Sequence, residues 1–302
     1  DCTLENSLVM ESTYAPIMIY SGKAFFNRCR FIGNTYSGGD TTGKSGVFNC
    51  LDYRGYFRDC LFQGNRSMTK KTAVSCLLWP ARVVNCTFVN NIASAPTATS
   101  SDQQTIAAGN AAVIAHCAFR GNIAEGSTTP AADVYLAPGG SGKSASFVNN
   151  VIETSCGYAN FTPLRASAGA SYLITNNVVQ GFSAAAVPGT GFGDTLDAAP
   201  RFKASLAVSG DRPEQLVLSG LSPARSLGVP IVQQSDGSLY LRDDAYNAAK
   251  PWRPLAANAA PVASVADEDA YLPDAFGRAR GLRNSVPGPL LAPPAGAVII
   301  LR

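Results

Sequence analysis

A chain of 302 residues, 46% of them hydrophobic, can bury a large core, either as two ordinary domains or as one extended repeat domain. Only 15% of the residues are charged and the net charge is +3, with acidic and basic residues interspersed, which argues against a nucleic-acid footprint. No stretch approaches the ~18 consecutive apolar residues of a membrane span, and no basic-then-apolar leader opens the chain; any export signal and anchor are expected to lie outside it.

Self-similarity organises the first two thirds. A polar residue, Cys or Asn, any residue, a large apolar residue, two more residues and then Asn recur as DCTLENS from Asp1, RCRFIGN from Arg28, DCLFQGN from Asp59, NCTFVNN from Asn85 and HCAFRGN from His116. NNVIETS from Asn149 and NNVVQGF from Asn176 are weaker copies. The second positions, Cys2, Cys29, Cys60, Cys86, Cys117, Asn150 and Asn177, are spaced by 27, 31, 26, 31, 33 and 27 residues. A period near 30 that varies by several residues fits a β-solenoid with insertable loops. The sequence therefore predicts an all-β, right-handed parallel β-helix of about seven coils over residues 1–187.

Period-two alternation places each Cys or Asn and the following large residue on one inward face. Stacking then builds a Cys ladder and, beside it, a ladder of Leu4, Phe31, Phe62, Phe88, Phe119, Ile152 and Val179. The closing Asn34, Asn65, Asn91 and Asn122 fall where the strand turns, usually after Gly33, Gly64 or Gly121, and stacked amides there can hydrogen-bond from coil to coil. A second strand per coil is expected about ten residues before the motif, in SGVFNC ending at Cys50, TAVSC ending at Cys76, NAAVIA before His116 and ADVYL ending at Leu136.

Residues 188–302 differ. They hold 13 of the 19 prolines and no cysteine, with strand-like pieces at Gln215 to Leu218, Ser238 to Leu241 and Ala297 to Leu301. They are expected to continue the solenoid briefly and then cap its end, because an open end exposes unpaired strand edges.

The FxxN element in RFIGN, LFQGN, TFVNN and AFRGN, preceded by small-residue strands such as SGVF, resembles the repeat of the polymorphic outer-membrane proteins, surface autotransporters of chlamydiae. The second half of that repeat, GGAI, is degenerate here. The C-terminal part resembles the choice-of-anchor Q type of bacterial β-helix protein through DAAPRF, LSPARSLG, DAFGRARG and GAVII in that order, without the acidic residue usual after Gly-Ala. These resemblances imply an exported, pectin-lyase-like β-helix, secreted or held on a bacterial cell surface.

Chemistry is sparse. On adjacent coils Cys29 with Cys60, Cys86 with Cys117, and Cys50 with Cys76 are close enough for disulfides, yet parallel Cβ vectors suit that bond poorly, so stacked free thiols are expected. No metal site is expected, since CxxC pairs are missing and His116 is the only histidine. The residues before each ladder position (Asp1, Arg28, Asp59, Asn85, His116, Asn149, Asn176) should form an outward polar row, with Arg28 and Asp59 as an exposed ion pair. Arg28, Asp59, His116 and Arg120 are the candidate anchors for a glycan.

A lyase on this fold needs a base beside carboxylates or a cation, and a hydrolase needs paired carboxylates within ~10 Å. Asp52, Asp59, Glu125 and Asp133 are dispersed over different coils. The acidic run Asp267, Glu268, Asp269 reads as a solvated loop, with calcium as its alternative occupant; no other cofactor is implied. Tyr14 with Tyr20 and Tyr53 with Tyr56 can stack sugars or cover coil edges, and Lys70-Lys71 reads as a loop. The expected function is non-catalytic display, adhesion or glycan binding, with glycans or surface components as partners. The alternative is a polysaccharide lyase or glycoside hydrolase.

Overall fold

The computed structural model describes residues 2–10, 15, 17–19, 22–37, 47–50, 54–69, 73–94, 103–125, 131–154, 161–187, 195–202, 218–219, 221–234, 236–255 and 260–265. Tyr14, Tyr20, Asp52, Tyr53, the Lys70-Lys71 pair, Cys156, the Asp267 to Asp269 run, DAFGRARG and GAVII lie outside them.

The chain is a parallel β-solenoid with four faces and almost no helix. Face 1 contains the motif strands Thr3–Glu5, Arg30–Ile32, Leu61–Gln63, Thr87–Val89, Ala118–Arg120, Val151–Glu153 and Val178–Val179. Face 2 contains Leu8–Met10, Thr35–Ser37, Arg66–Met68, Ile92–Ser94 and Ile123–Glu125. Face 3 contains Ile17–Ile19, Phe48–Cys50, Ala73–Leu78, Gln103–Ala108, Ala131–Leu136 and Leu164–Ala166. Face 4 contains Ala24–Asn27, Gly55–Arg58, Arg82–Val84, Ala112–Ala115, Ser144–Val148 and Ser171–Thr175. All neighbours on these faces pair in parallel. The motif strand recurs seven times, whereas five successive coils carry a strand on every face.

Four strands per coil replace the two expected. Phe48–Cys50 of SGVFNC, the Ala73–Leu78 strand that takes up TAVSC and the Ala131–Leu136 strand that takes up ADVYL lie on face 3 while Ala112–Ala115 of NAAVIA lies on face 4, so the pieces expected to share one position belong to two. Three-residue strands are too short for alternation to separate one from the next across a tight corner.

Two corners explain the motif. Between faces 4 and 1 the chain bends at Arg28, Asp59, Asn85, His116, Asn149 and Asn176, all left-handed with φ of 52–57°. Asn and Asp adopt that region at low cost, which accounts for much of this column. Between faces 1 and 2 the left-handed residue is Gly33, Gly64, Asn90 or Gly121, and the Asn that follows turns its side chain inward.

The asparagine amides form a continuous buried ladder. Asn34, Asn65 and Asn91 each donate from Nδ2 to the Oδ1 of Asn65, Asn91 and Asn122, at 2.9, 3.0 and 2.9 Å. The same oxygens accept the backbone N–H groups of Asn34, Asn65 and Asn91. Each Nδ2 also donates to a carbonyl one coil back: Leu4, Phe31, Phe62 and Phe88. These bonds satisfy polar groups that the corner would otherwise bury unpaired.

Beside this ladder Phe31, Phe62, Phe88 and Phe119 stack with centroid spacings of 4.9, 4.8 and 4.8 Å. Cys29, Cys60, Cys86 and Cys117 form the neighbouring buried column, with Cys2 exposed. Cys2, Cys29, Cys50, Cys60, Cys76, Cys86 and Cys117 are all free thiols. Cys60, Cys86 and Cys117 donate weakly to the carbonyls of Arg58, Val84 and Ala115. Burial pushes the Cys86 thiol well up, and a thiol contact with Cys86 followed by burial does the same for Cys60. Asn150 and Asn177 then continue the column by amide bonds, Asn150 Nδ2 donating to Asn177 Oδ1 at 3.2 Å and Cys117 N–H to Asn150 Oδ1 at 2.8 Å.

The described part of the Pro-rich segment runs along the side of the coils. Ala198, Phe202, Leu218, Ala224 and Leu227 pack on the outer residues Ala118, Val151 and Val178 of face 1. An antiparallel sheet of Ile231–Gln233, Leu239–Arg242 and Trp252–Pro254, the strap, places Ile231, Leu239, Leu241 and Leu255 on Val84, Val113, Ala115, Val148 and Leu173 of face 4. Those outward face-4 positions are apolar because they are covered.

Candidate functional site

The lateral strap redistributes the residues expected to bind a glycan. His116 is fully buried and Arg120 is 5% exposed, so neither belongs to an exposed row. Arg120 pairs with Glu153, its neighbour on the next coil, at 2.6 Å, and its guanidinium lies 4.9 Å from the Phe202 ring centroid. Arg28 is exposed and Asp59 is half-buried, with Asp59 accepting from Asn85 Nδ2 at 3.0 Å and lying 3.4 Å from Arg58 Nε. The four candidates therefore do not converge on one surface. Nor do the acidic residues of the coils, since Glu125 pairs with Arg66 at 2.8 Å and Asp133 is buried.

A different concavity is present. Where the edge of the strap leaves face 4, a groove of about 370 Å³ opens between the strands Ser144–Val148 and Ser171–Thr175 on one side and the Trp252–Pro254 strand with its preceding loop on the other. Gly142, at φ 73°, turns the chain so that Lys143 stands exposed at the entry, and Asn110 Oδ1 fixes the turn by accepting Ser144 N–H at 3.2 Å.

Across from it, Asp243 shapes the loop, accepting Tyr246 N–H at 3.0 Å and sitting 3.6 Å from Arg253 Nη1. Arg253 in turn lies over the Tyr246 ring at 4.3 Å from its centroid. Tyr246 is 51% exposed. Ser146 closes the floor by donating from Oγ to the Leu255 carbonyl.

The groove lining thus contains two cations, Lys143 and Arg253, the second engaged by Asp243 and stacked on one face of Tyr246, together with that ring and the serines Ser144 and Ser171; no carboxylate is among the lining residues. Such a surface can hold a polyhydroxylated, anionic ligand: the ring offers an apolar face, the cations a charge and the serines hydrogen bonds. Lys143, Tyr246 and Arg253 carry no repeat signal, because a loop and a hairpin about 100 residues apart in sequence build the site. Among the described residues no three His, Cys, Asp or Glu side chains gather to hold a metal, and no helix is long and apolar enough to cross a membrane.

The fold and groove define a class, a parallel β-solenoid with a lateral strap. Compared with known proteins, the chain matches no family model, no curated protein and no solved structure.

Proposed function

We propose that this chain is a secreted or cell-surface β-helix module whose work is display, adhesion or glycan binding without catalysis, and that the groove beside the strap is where a glycan binds. The observation that carries this reading is the groove itself, where Lys143, Arg253 and the half-exposed Tyr246 line one concavity of about 370 Å³ and the Asp243 carboxylate that engages Arg253 is not among the lining residues. The chlamydial surface-repeat and choice-of-anchor resemblances support the same placement outside the cell. An acidic saccharide fits best, with its anionic group toward the two cations and a sugar face on the ring.

A panel of acidic and neutral oligosaccharides tests it. Tyr246→Ala and Lys143→Ala are each expected to weaken binding of the acidic members about fivefold to tenfold, roughly 1–1.4 kcal/mol, and added salt should weaken it further. Absence of binding to any panel member, or binding that neither substitution changes, contradicts the assignment. Cleavage of a panel member that a groove substitution abolishes favours the lyase or hydrolase reading instead.

A further inference from the structure

The histidine at the corner between faces 4 and 1 is the only one in the chain. It sits fully buried at φ 55°, where the Pro-rich segment crosses from face 1 to face 4. Its Nε2 lies 3.3 Å from the Nδ2 of Asn149, the equivalent residue one coil on. The Asn149 amide also grips the incoming strap twice: Nδ2 donates to the Val229 carbonyl at 2.7 Å, and Oδ1 accepts Val229 N–H at 3.0 Å.

Those two backbone bonds fix which end of the amide is nitrogen, because the reversed amide would set donor against donor and acceptor against acceptor. Nδ2 therefore has one hydrogen for Val229 and one for His116. The imidazole Nε2 must accept it, which requires a neutral ring with its proton on Nδ1.

We propose that His116 is a proton-operated clasp: neutral, it accepts the second Nδ2 hydrogen of Asn149, whose amide holds the strap at Val229, and protonation at Nε2, by solvent that reaches the ring when the strap opens, removes that bond and keeps the strap released. The protonated ring sets a buried donor and a positive charge against the amide NH2, both costly in a site without water access. The strap forms one wall of the groove, so release at mildly acidic pH also opens the groove. That last consequence rests on the glycan reading; the clasp does not.

The surrounding ionisable groups do not duplicate the switch. Strands Ala112–Ala115, Ser144–Val148 and Ile231–Gln233 carry none. Arg58 is held by Gln233 Oε1 at 3.2 Å, Asp59 by Asn85, and Arg120 by Glu153, while Arg201 is exposed. Asp133, on face 3, is pushed up to about 7 by burial and so titrates in the same window, with the opposite effect on stability.

Two measurements on the full chain decide the matter. Nitrogen NMR of the single imidazole at pH 7.5 should show an unprotonated Nε2 and a protonated Nδ1; the opposite tautomer overturns the proposal whether or not any variant folds. Hydrogen exchange, corrected for its intrinsic pH dependence, should show protection of Val232 and Leu241 falling about tenfold or more relative to Phe88 and Phe119 between pH 7.5 and 5. In His116→Gln, whose amide oxygen can accept from Asn149 at any pH, strap protection relative to the same core amides should be flat over that range. A flat wild-type profile, or the same fall in His116→Gln, contradicts the clasp in either case, independently of any saccharide result.

Discussion

Replacing Asn91 with alanine is expected to destabilise the protein by about 3–5 kcal/mol, read as a lowered urea midpoint with unchanged slope. Asn91 is fully buried, and four hydrogen bonds run through its side chain. Its loss leaves the Asn65 N–H and one Asn65 amide hydrogen without partners in a corner closed to solvent, at about 1–3 kcal/mol for each orphaned group, and takes an amide donor from the Phe62 carbonyl and from Asn122 Oδ1. Gln63→Ala, a half-buried outward position on the same face, should change stability by less than about 0.5 kcal/mol. A loss under about 1 kcal/mol for Asn91→Ala would mean that the amide ladder decorates the solenoid and does not hold its corner.

The second large effect is a pH dependence set by Asp133. This carboxyl lies inside the coils on the Ala131–Leu136 strand, 1% exposed. Hydrogen bonds from Asn122 and Thr105 only partly offset burial, which raises its pKa from 3.8 to about 7. Its Oδ1 finds no donor among the described residues.

A carboxyl whose folded pKa exceeds its unfolded value binds more protons when folded. Its penalty is therefore absent below about pH 4, grows as pH rises through the window from 3.8 to about 7, and is complete above it. Asp133→Asn removes the titration, so it should stabilise the protein by about 2–4 kcal/mol at pH 8 and by little at pH 4.5. Urea titrations of both proteins across this range measure it; parallel stability curves contradict a buried, protonated Asp133. The effect runs opposite in sign to the His116 clasp, so the two are separable by their slopes.

Much of the solenoid was legible because its structural residues repeat. The Phe31 to Phe119 stack, the thiol column and the Asn34 to Asn122 ladder each occupy one position per coil, and register counting finds any residue type that recurs at one position. The same counting misread the column running from Arg28 to Asn176. Alternation treats a left-handed corner residue as an outward strand residue, although the enrichment in Asn and Asp was itself a sign of positive φ.

Burial of His116 and Arg120 was not legible. It depends on Val229 and Phe202, 113 and 82 residues further along the chain, crossing the outside of the coils. The apolar outward residues Val113 and Val148 hinted at such a cover, since a solvated face would alternate with polar residues. The groove had no sequence signature: Lys143, Tyr246 and Arg253 are common surface residues until the strap brings them together.

Every structural assignment above depends on the parallel register, and ring-to-ring nuclear Overhauser contacts in phenylalanine-labelled protein test it most directly. An unbroken series Phe31–Phe62–Phe88–Phe119 is expected, each ring about 4.8 or 4.9 Å from the next, with Phe48 set edge-on against Phe31. Close α-proton pairs diagnostic of antiparallel strands within residues 28–182, or a Phe88 ring that touches neither Phe62 nor Phe119, would contradict it.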